Sequence, residues 1–280
     1  MSNEHELMPV SGAEHGAATP RSSADPARAA PVVAAPAYID WLEAENQALV
    51  EAARLGVDAL VPSCPGWTVR DLVFHHASFQ SWITGLIVER VQEPQAPLTA
   101  AKPPKGKGIL RWYEQTAAGL VSALRATDPQ TPVWGVTTEH TAGAWARRQA
   151  SESSVHRWDA QNAHDVCRPI EHAADYLSEL FGLLLPNLIA NFGLVVPSGS
   201  MALRSVDDAQ VWLVRPSDVD GPDDARIGAR ADDQSDVAAD VVVSGTSSDL
   251  LLAMWNRTSD VEIDGDLDVL GGWRAATSGS

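Results

Sequence analysis

The sequence predicts an α+β protein: an N-terminal four-helix bundle plus a small C-terminal α/β domain. Three observations carry this. Up to about residue 191, apolar residues recur at helical spacing in segments separated by Pro- and Gly-rich loops. After Gly193, short Val-rich runs replace them, as strands would. The chain has 280 residues, 45% of them hydrophobic, which is enough for two modest cores. The expected division is a disordered tail over 1–36, the bundle over 37–194 and the α/β domain over 195–280.

The elements follow in order. Residues 1–36 are rich in Ala, Pro, Ser and Glu and lack the basic and apolar regions of a secretion signal. From Tyr38 to Leu55, Leu42, Leu49 and Ala53 form one helical stripe. Pro62 to Gly66 is a loop with strong breakers, and Thr68-x-x-Asp71 then reads as a capping box opening a second helix. That helix carries Leu72, His75, His76, Phe79, Ile83 and Leu86 and ends before Pro94. A loop over 94–108 holds Lys102, Lys105 and Lys107, read as a solvated basic cluster. The third helix runs from Ile109 to Ala126, the fourth from Ala142 to Ala163, and a fifth from Ala173 to Asn191, kinked or shortened by Pro186. Gln210–Val214, Asp240–Ser244 and Val261–Asp264 are expected strands. Thr246 to Asn256 is an expected helix, capped near Ser247 or Ser248.

Composition excludes several classes. The formal net charge of -17 would repel a phosphate backbone, and no basic face offsets it, so no nucleic-acid partner is expected. No run of 18 apolar residues exists, so no membrane span is expected. Two cysteines, Cys64 and Cys167, make neither a disulfide framework nor a zinc ribbon, which points to a reducing cytoplasm. Ten tryptophans need partners for their N–H groups wherever they are buried.

Glu152 and His156 stand four apart on the fourth helix, on one face and about one turn apart, where a carboxylate oxygen and an imidazole nitrogen can share one metal. Measured from Leu72 at about 100° per residue, His75 lies near −60° and His76 near +40°. Both border the core, and rotation does not choose between them. Bundles build metal sites from such inward residues on facing helices, and two His plus one carboxylate leave coordination positions open for catalysis. The other histidines, His5, His15, His140, His164 and His172, fall in tails, loops or polar helix ends.

Cys64-Pro-Gly-Trp-Thr-Val-Arg-Asp-Leu-Val-Phe-His75 resembles the second-helix signature of the mycothiol-dependent maleylpyruvate isomerase family. Glu152-Ser-Ser-Val-His-Arg-Trp-Asp159 resembles its fourth-helix motif, and Val243 to Leu251 fits its C-terminal pattern. The resemblance covers roughly residues 38–275 and implies a DinB-like bundle. It implies a divalent metal, zinc by donor type, on His75, Glu152 and His156, and so selects His75 over His76. It also implies an actinobacterial thiol, mycothiol, as cosubstrate. Arg257 resembles a C-terminal-domain Arg that meets an anionic substrate; read from the residues alone, a helix C-cap cation is equally good.

By this resemblance, a metal-activated thiolate adds to a cis-alkene acid, the new single bond rotates, and loss of the thiolate gives the trans isomer. If the thiolate stays, the same site is an S-transferase. A third reading is a non-catalytic metal-binding regulator, which would need a closed site. The expected partners are a small electrophile and a low-molecular-weight thiol. Asp159 either orients a metal ligand or pairs with Arg157 or Arg148. Trp67 and Cys64 are read as packing residues, and His76 as a satisfied bundle histidine.

Overall fold

A computed structural model of the chain describes residues 34–95, 104, 106, 108–216 and 238–278. The tail up to residue 33, the three loop lysines and the acidic stretch 217–237 lie outside the described residues. Four helices form the bundle: α1 (Ala35–Ala53), α2 (Val69–Glu89), α3 (Gly108–Ala126) and α4 (Ala142–Asn162). The most extensive helix contacts pair α1 with α4 and α2 with α3. Helix α1 starts inside the expected tail, with Pro36 in its first turn, where a missing N–H costs nothing.

The capping box forms as its residues predict. The Thr68 side chain accepts from the Asp71 N–H, and the Asp71 carboxylate accepts from the Thr68 N–H at 2.9 Å. In front of it, Cys64 to Trp67 make a tight turn closed by Trp67 N–H to Cys64 O at 3.0 Å. Pro65 presets the first corner, and Gly66 takes φ 85°, which a side chain would resist. The turn folds the loop back along the bundle, with Val61 N–H bonded to Trp67 O.

The fifth helical segment is α5 (Ala173–Glu179), a π-helical turn (Leu180–Leu184) and α6 (Leu185–Phe192). Leu185 N–H bonds to Leu180 O, an i to i−5 bond. Pro186 has no N–H for an α-helical bond and its ring crowds the preceding turn, so the widening falls where Pro186 predicts a disturbance.

The C-terminal sheet has the order β2-β1-β3-β4, from β1 (Met201–Ser205), β2 (Val211–Val214), β3 (Val241–Gly245) and β4 (Glu262–Gly265). β1 runs parallel to β3, and the outer pairs are antiparallel. Helix α7 (Ser247–Met254) follows β3, and α8 (Leu267–Ser278) follows β4. The cap of α7 is Thr246, whose hydroxyl accepts from Asp249 N–H, rather than Ser247 or Ser248.

Two elements are absent from the sequence reading. β1 lacks β-branched residues. α8 contains Gly271-Gly272, which disfavour a helix; it is held by buried Trp273, whose N–H reaches Gly199 O at 3.1 Å. One hydrophobic cluster runs from Tyr38 and Leu42 through Trp82, Trp134 and Trp145 to Trp212 and Trp273, so both parts share a core. No described helix is long and apolar enough to cross a membrane.

Candidate metal centre

One face of α4 presents Arg148, Glu152, His156 and Asp159 in line, at steps of four, four and three residues. Glu152 Oε2 and His156 Nε2 are 3.6 Å apart. From α2, the His75 ring meets the His156 ring edge-on, with centroids 5.6 Å apart at 80°. His76 is near as well, with centroids 4.9 Å from His156.

The two α2 histidines differ in what surrounds them. His76 is buried, with Nε2 2.9 Å from Ser153 Oγ and 3.0 Å from Gln80 Nε2, inside a polar knot completed by Asn46 and Tyr113. Burial and the neighbouring His156 and His75 hold its pKa well below the usual value. His75 is exposed to solvent, with the Trp67 ring centroid 5.0 Å away on one side and the His156 ring on the other. The surrounding protein, with His156 against it, pushes its pKa down to about 4, while Glu152 pulls the other way. At neutral pH His75 is therefore a neutral imidazole with a free lone pair.

Asp159 is fully buried and accepts four contacts from nitrogen and oxygen donors. His156 Nδ1 lies at 3.2 Å, Ser63 Oγ at 2.5 Å, and Arg257 supplies Nε at 3.0 Å and a terminal nitrogen at 2.7 Å. Burial alone would raise its pKa; the hydrogen bond from His156 and the Arg257 guanidinium outweigh that and hold it well below the carboxylate range. An ionised Asp159 only accepts, so Nδ1 of His156 carries the hydrogen and Nε2 faces Glu152. Neither Arg157 nor Arg148 is bonded to it: Arg157 pairs with Glu45, and Arg148 with Glu152 and Glu179.

Arg257 reaches this position through the end of α7. Asn256 takes φ 57°, and Arg257 N–H bonds back to Leu252 O at 2.8 Å, closing the helix as Gly usually does. Besides Asp159, the guanidinium bonds Trp255 O at 2.6 Å and touches Cys64 Sγ at 3.8 Å. The fork expected to meet a substrate is engaged with Asp159. Cys64 also lies 3.9 Å from Asp159, and burial, reinforced by that carboxylate, pushes its thiol up to about 11. It is a protonated thiol at neutral pH, not a nucleophile.

At the other end of the row, Arg148 donates to Glu152 Oε1 at 2.9 Å and to Glu179 Oε2 at 2.5 Å. Burial raises the Glu152 pKa; Arg148, followed by His156, His75 and Arg257, reverses this and leaves it below its usual value. The sequence reading missed Glu179 and Ser63 altogether and named Arg148 only as a partner for Asp159. The i−4 position of Arg148 relative to Glu152 was an available signal. Nothing local points to Glu179 or Ser63.

Among the described residues, no three His, Cys, Asp or Glu side chains are drawn together tightly enough to cage a metal as they stand. Two of the expected donors, Glu152 and His156, do stand at the spacing of ligands to one ion. Two ligands at about 2.1 Å from a tetrahedral zinc lie roughly 3.4 Å apart, close to the 3.6 Å between Glu152 Oε2 and His156 Nε2. Asp159 behind His156 has the position of the outer carboxylate that orients metal-binding imidazoles.

Residues 42–161 match the mycothiol maleylpyruvate isomerase N-terminal domain, and residues 171–272 the C-terminal domain of the same proteins. The second match takes in α5, which contacts α4 and α7, and α6 beyond it. Two solved structures share the fold. One is a mycothiol-dependent maleylpyruvate isomerase, 14% identical with a TM-score of 0.52; the other is a histidine-to-alanine mutant of such an isomerase, 12% identical with a TM-score of 0.54. Each comparison covers 83% of this chain and 93% of the other. No curated protein matches the sequence.

Proposed function

The chain belongs to the mycothiol-dependent maleylpyruvate isomerase family, and from that premise we propose that it activates mycothiol, on a divalent metal held by His75, Glu152 and His156, for addition to a small electrophile. The observation that carries this reading is the Glu152–His156 edge, at ligand spacing, with Asp159 fixing the imidazole behind it. A bound metal of zinc type would lower the pKa of a thiol so that it is a thiolate at neutral pH.

The chain's own residues support the rest. His75 and Glu152 are both reached by solvent, which leaves a side of the site where a thiol and a substrate can approach. Trp67 walls one side. Arg257 and Ser63 hold Asp159, and through it His156. The reaction is then of maleylpyruvate isomerase type: addition of the thiolate to a cis alkene, rotation, and elimination that returns the thiol.

A specific observation favours a second reading, an S-transferase acting on a neutral electrophile. The guanidinium groups closest to Glu152 and Asp159, those of Arg148 and Arg257, are already bound to carboxylates, which leaves neither as a ready clamp for an acidic substrate. The deciding experiment supplies zinc-loaded protein with mycothiol and maleylpyruvate and follows both thiol and product. Product with constant thiol supports the isomerase, and stoichiometric thiol loss supports the transferase. Bound zinc with neither outcome, for maleylpyruvate or for a panel of neutral electrophiles, refutes both.

A further inference from the structure

Arg148 is 2% exposed, and its partners account for why a cation sits there. One terminal nitrogen binds Glu179 Oε2, and the other binds Glu152 Oε1 and approaches Ser151 Oγ at 3.3 Å. The guanidinium lies 5.6 Å from the centre of the Trp255 ring. Glu179 closes α5, one residue before the π-helical turn, among the apolar Tyr176, Leu177 and Leu180. A carboxylate is rare in such a setting without a partner, and its partner here is Arg148.

The carboxylate of Glu152 is thus divided. Oε1 belongs to Arg148, and Oε2 is the oxygen nearest His156 Nε2. The Glu152 side chain is 27% exposed, and without a restraint it would sample several rotamers and could turn both oxygens outward. We propose that Arg148, braced by Glu179 and the Trp255 ring, is a positioning residue of this site that presents a single oxygen of Glu152 beside His156 Nε2. The proposal rests on the metal-centre reading above. A planar fork suits the task, because it holds two carboxylates at once in fixed directions; a lysine ammonium is a point charge on a flexible stem.

The alternative is an ion pair that only holds α4 to α5. Two variants separate these roles, each read by zinc affinity, from competition with a chromophoric chelator, and by thermal unfolding of the metal-free protein. Arg148→Lys keeps the charge but not the fork. The double variant Arg148→Met with Glu179→Met removes the buried pair together, a replacement that cores tolerate. Zinc affinity is expected to fall about 10- to 100-fold in both, the range for residues that orient metal ligands, with the double variant melting near the parent. Parent-like zinc affinity in a folded double variant, or an Arg148→Lys protein that melts earlier but binds zinc as before, overturns the proposal. A parent protein that takes up no zinc overturns the metal reading as well, and that result appears before any variant is made.

Discussion

Helices α2 and α4 have equal length and lie against each other, yet α4 buries far more polar and charged side chains beside its apolar ones. α2 buries Leu72, Val73, Ala77, Ile83 and Leu86 along an apolar stripe. α4 buries Arg148, Ser153, His156, Arg157 and Asp159. Burial itself stabilises the first, at about 25 cal/mol per Å² of apolar surface. For the second, burial costs free energy unless every charge is paired, and the partners come from elsewhere in the chain: Glu45 on α1, Glu179 on α5, Ser63 in the loop and Arg257 after α7. The difference teaches that α4 is held by specific polar contacts in addition to its apolar packing, and such costly burial is expected at an element kept for function.

The contrast breaks most visibly at the one place where α2 joins the polar row. His75→Ala should reduce bound zinc from one per chain to none by elemental analysis. His76→Ala, which removes a side chain from the Ser153–Gln80 knot, should keep most of the zinc and lose stability instead. Equal zinc loss in both would erase the distinction between the exposed histidine and the buried one.

Next in size is the pair that ties the C-terminal domain to α4. Arg257→Ala leaves Asp159 buried with Ser63, His156 and the weak Cys64 thiol as partners but no cation, and breaking a buried pair from one side costs about 3–5 kcal/mol. Urea unfolding should register a loss in that range. A loss below about 1 kcal/mol would mean that α4 does not depend on this partner, and that Arg257 is free to serve a substrate as first expected.

The smallest effect sharpens the comparison from the α2 side. Thr68→Ala removes a capping box at an exposed helix end and should cost about 1 kcal/mol, with zinc affinity unchanged. A marked fall in affinity would show that the position of α2, and not only that of α4, is critical to the site.

Much of this was legible in the residues. The capping box, the turn set by Pro65 and Gly66, the disturbance before Pro186 and the Glu152–His156 spacing are local effects, decided within a few residues of chain. The β1 strand and α8 were not, because their sequences disfavour the structures they adopt and tertiary contacts such as that of Trp273 override propensity.

Sequence by itself determined that a carboxylate and an imidazole share one face of α4, and that two histidines border the same core on α2. Only the tertiary structure decided that His76 turns into the Ser153 knot while His75 stays exposed beside the His156 ring. It also decided that Asp159 belongs to Arg257 and Ser63, and that Arg148 is held by Glu179. The reason is physical. Periodicity fixes the angle of a side chain about its own helix axis, but the partner it meets stands on another element, tens to a hundred residues away, and is set by how the helices dock.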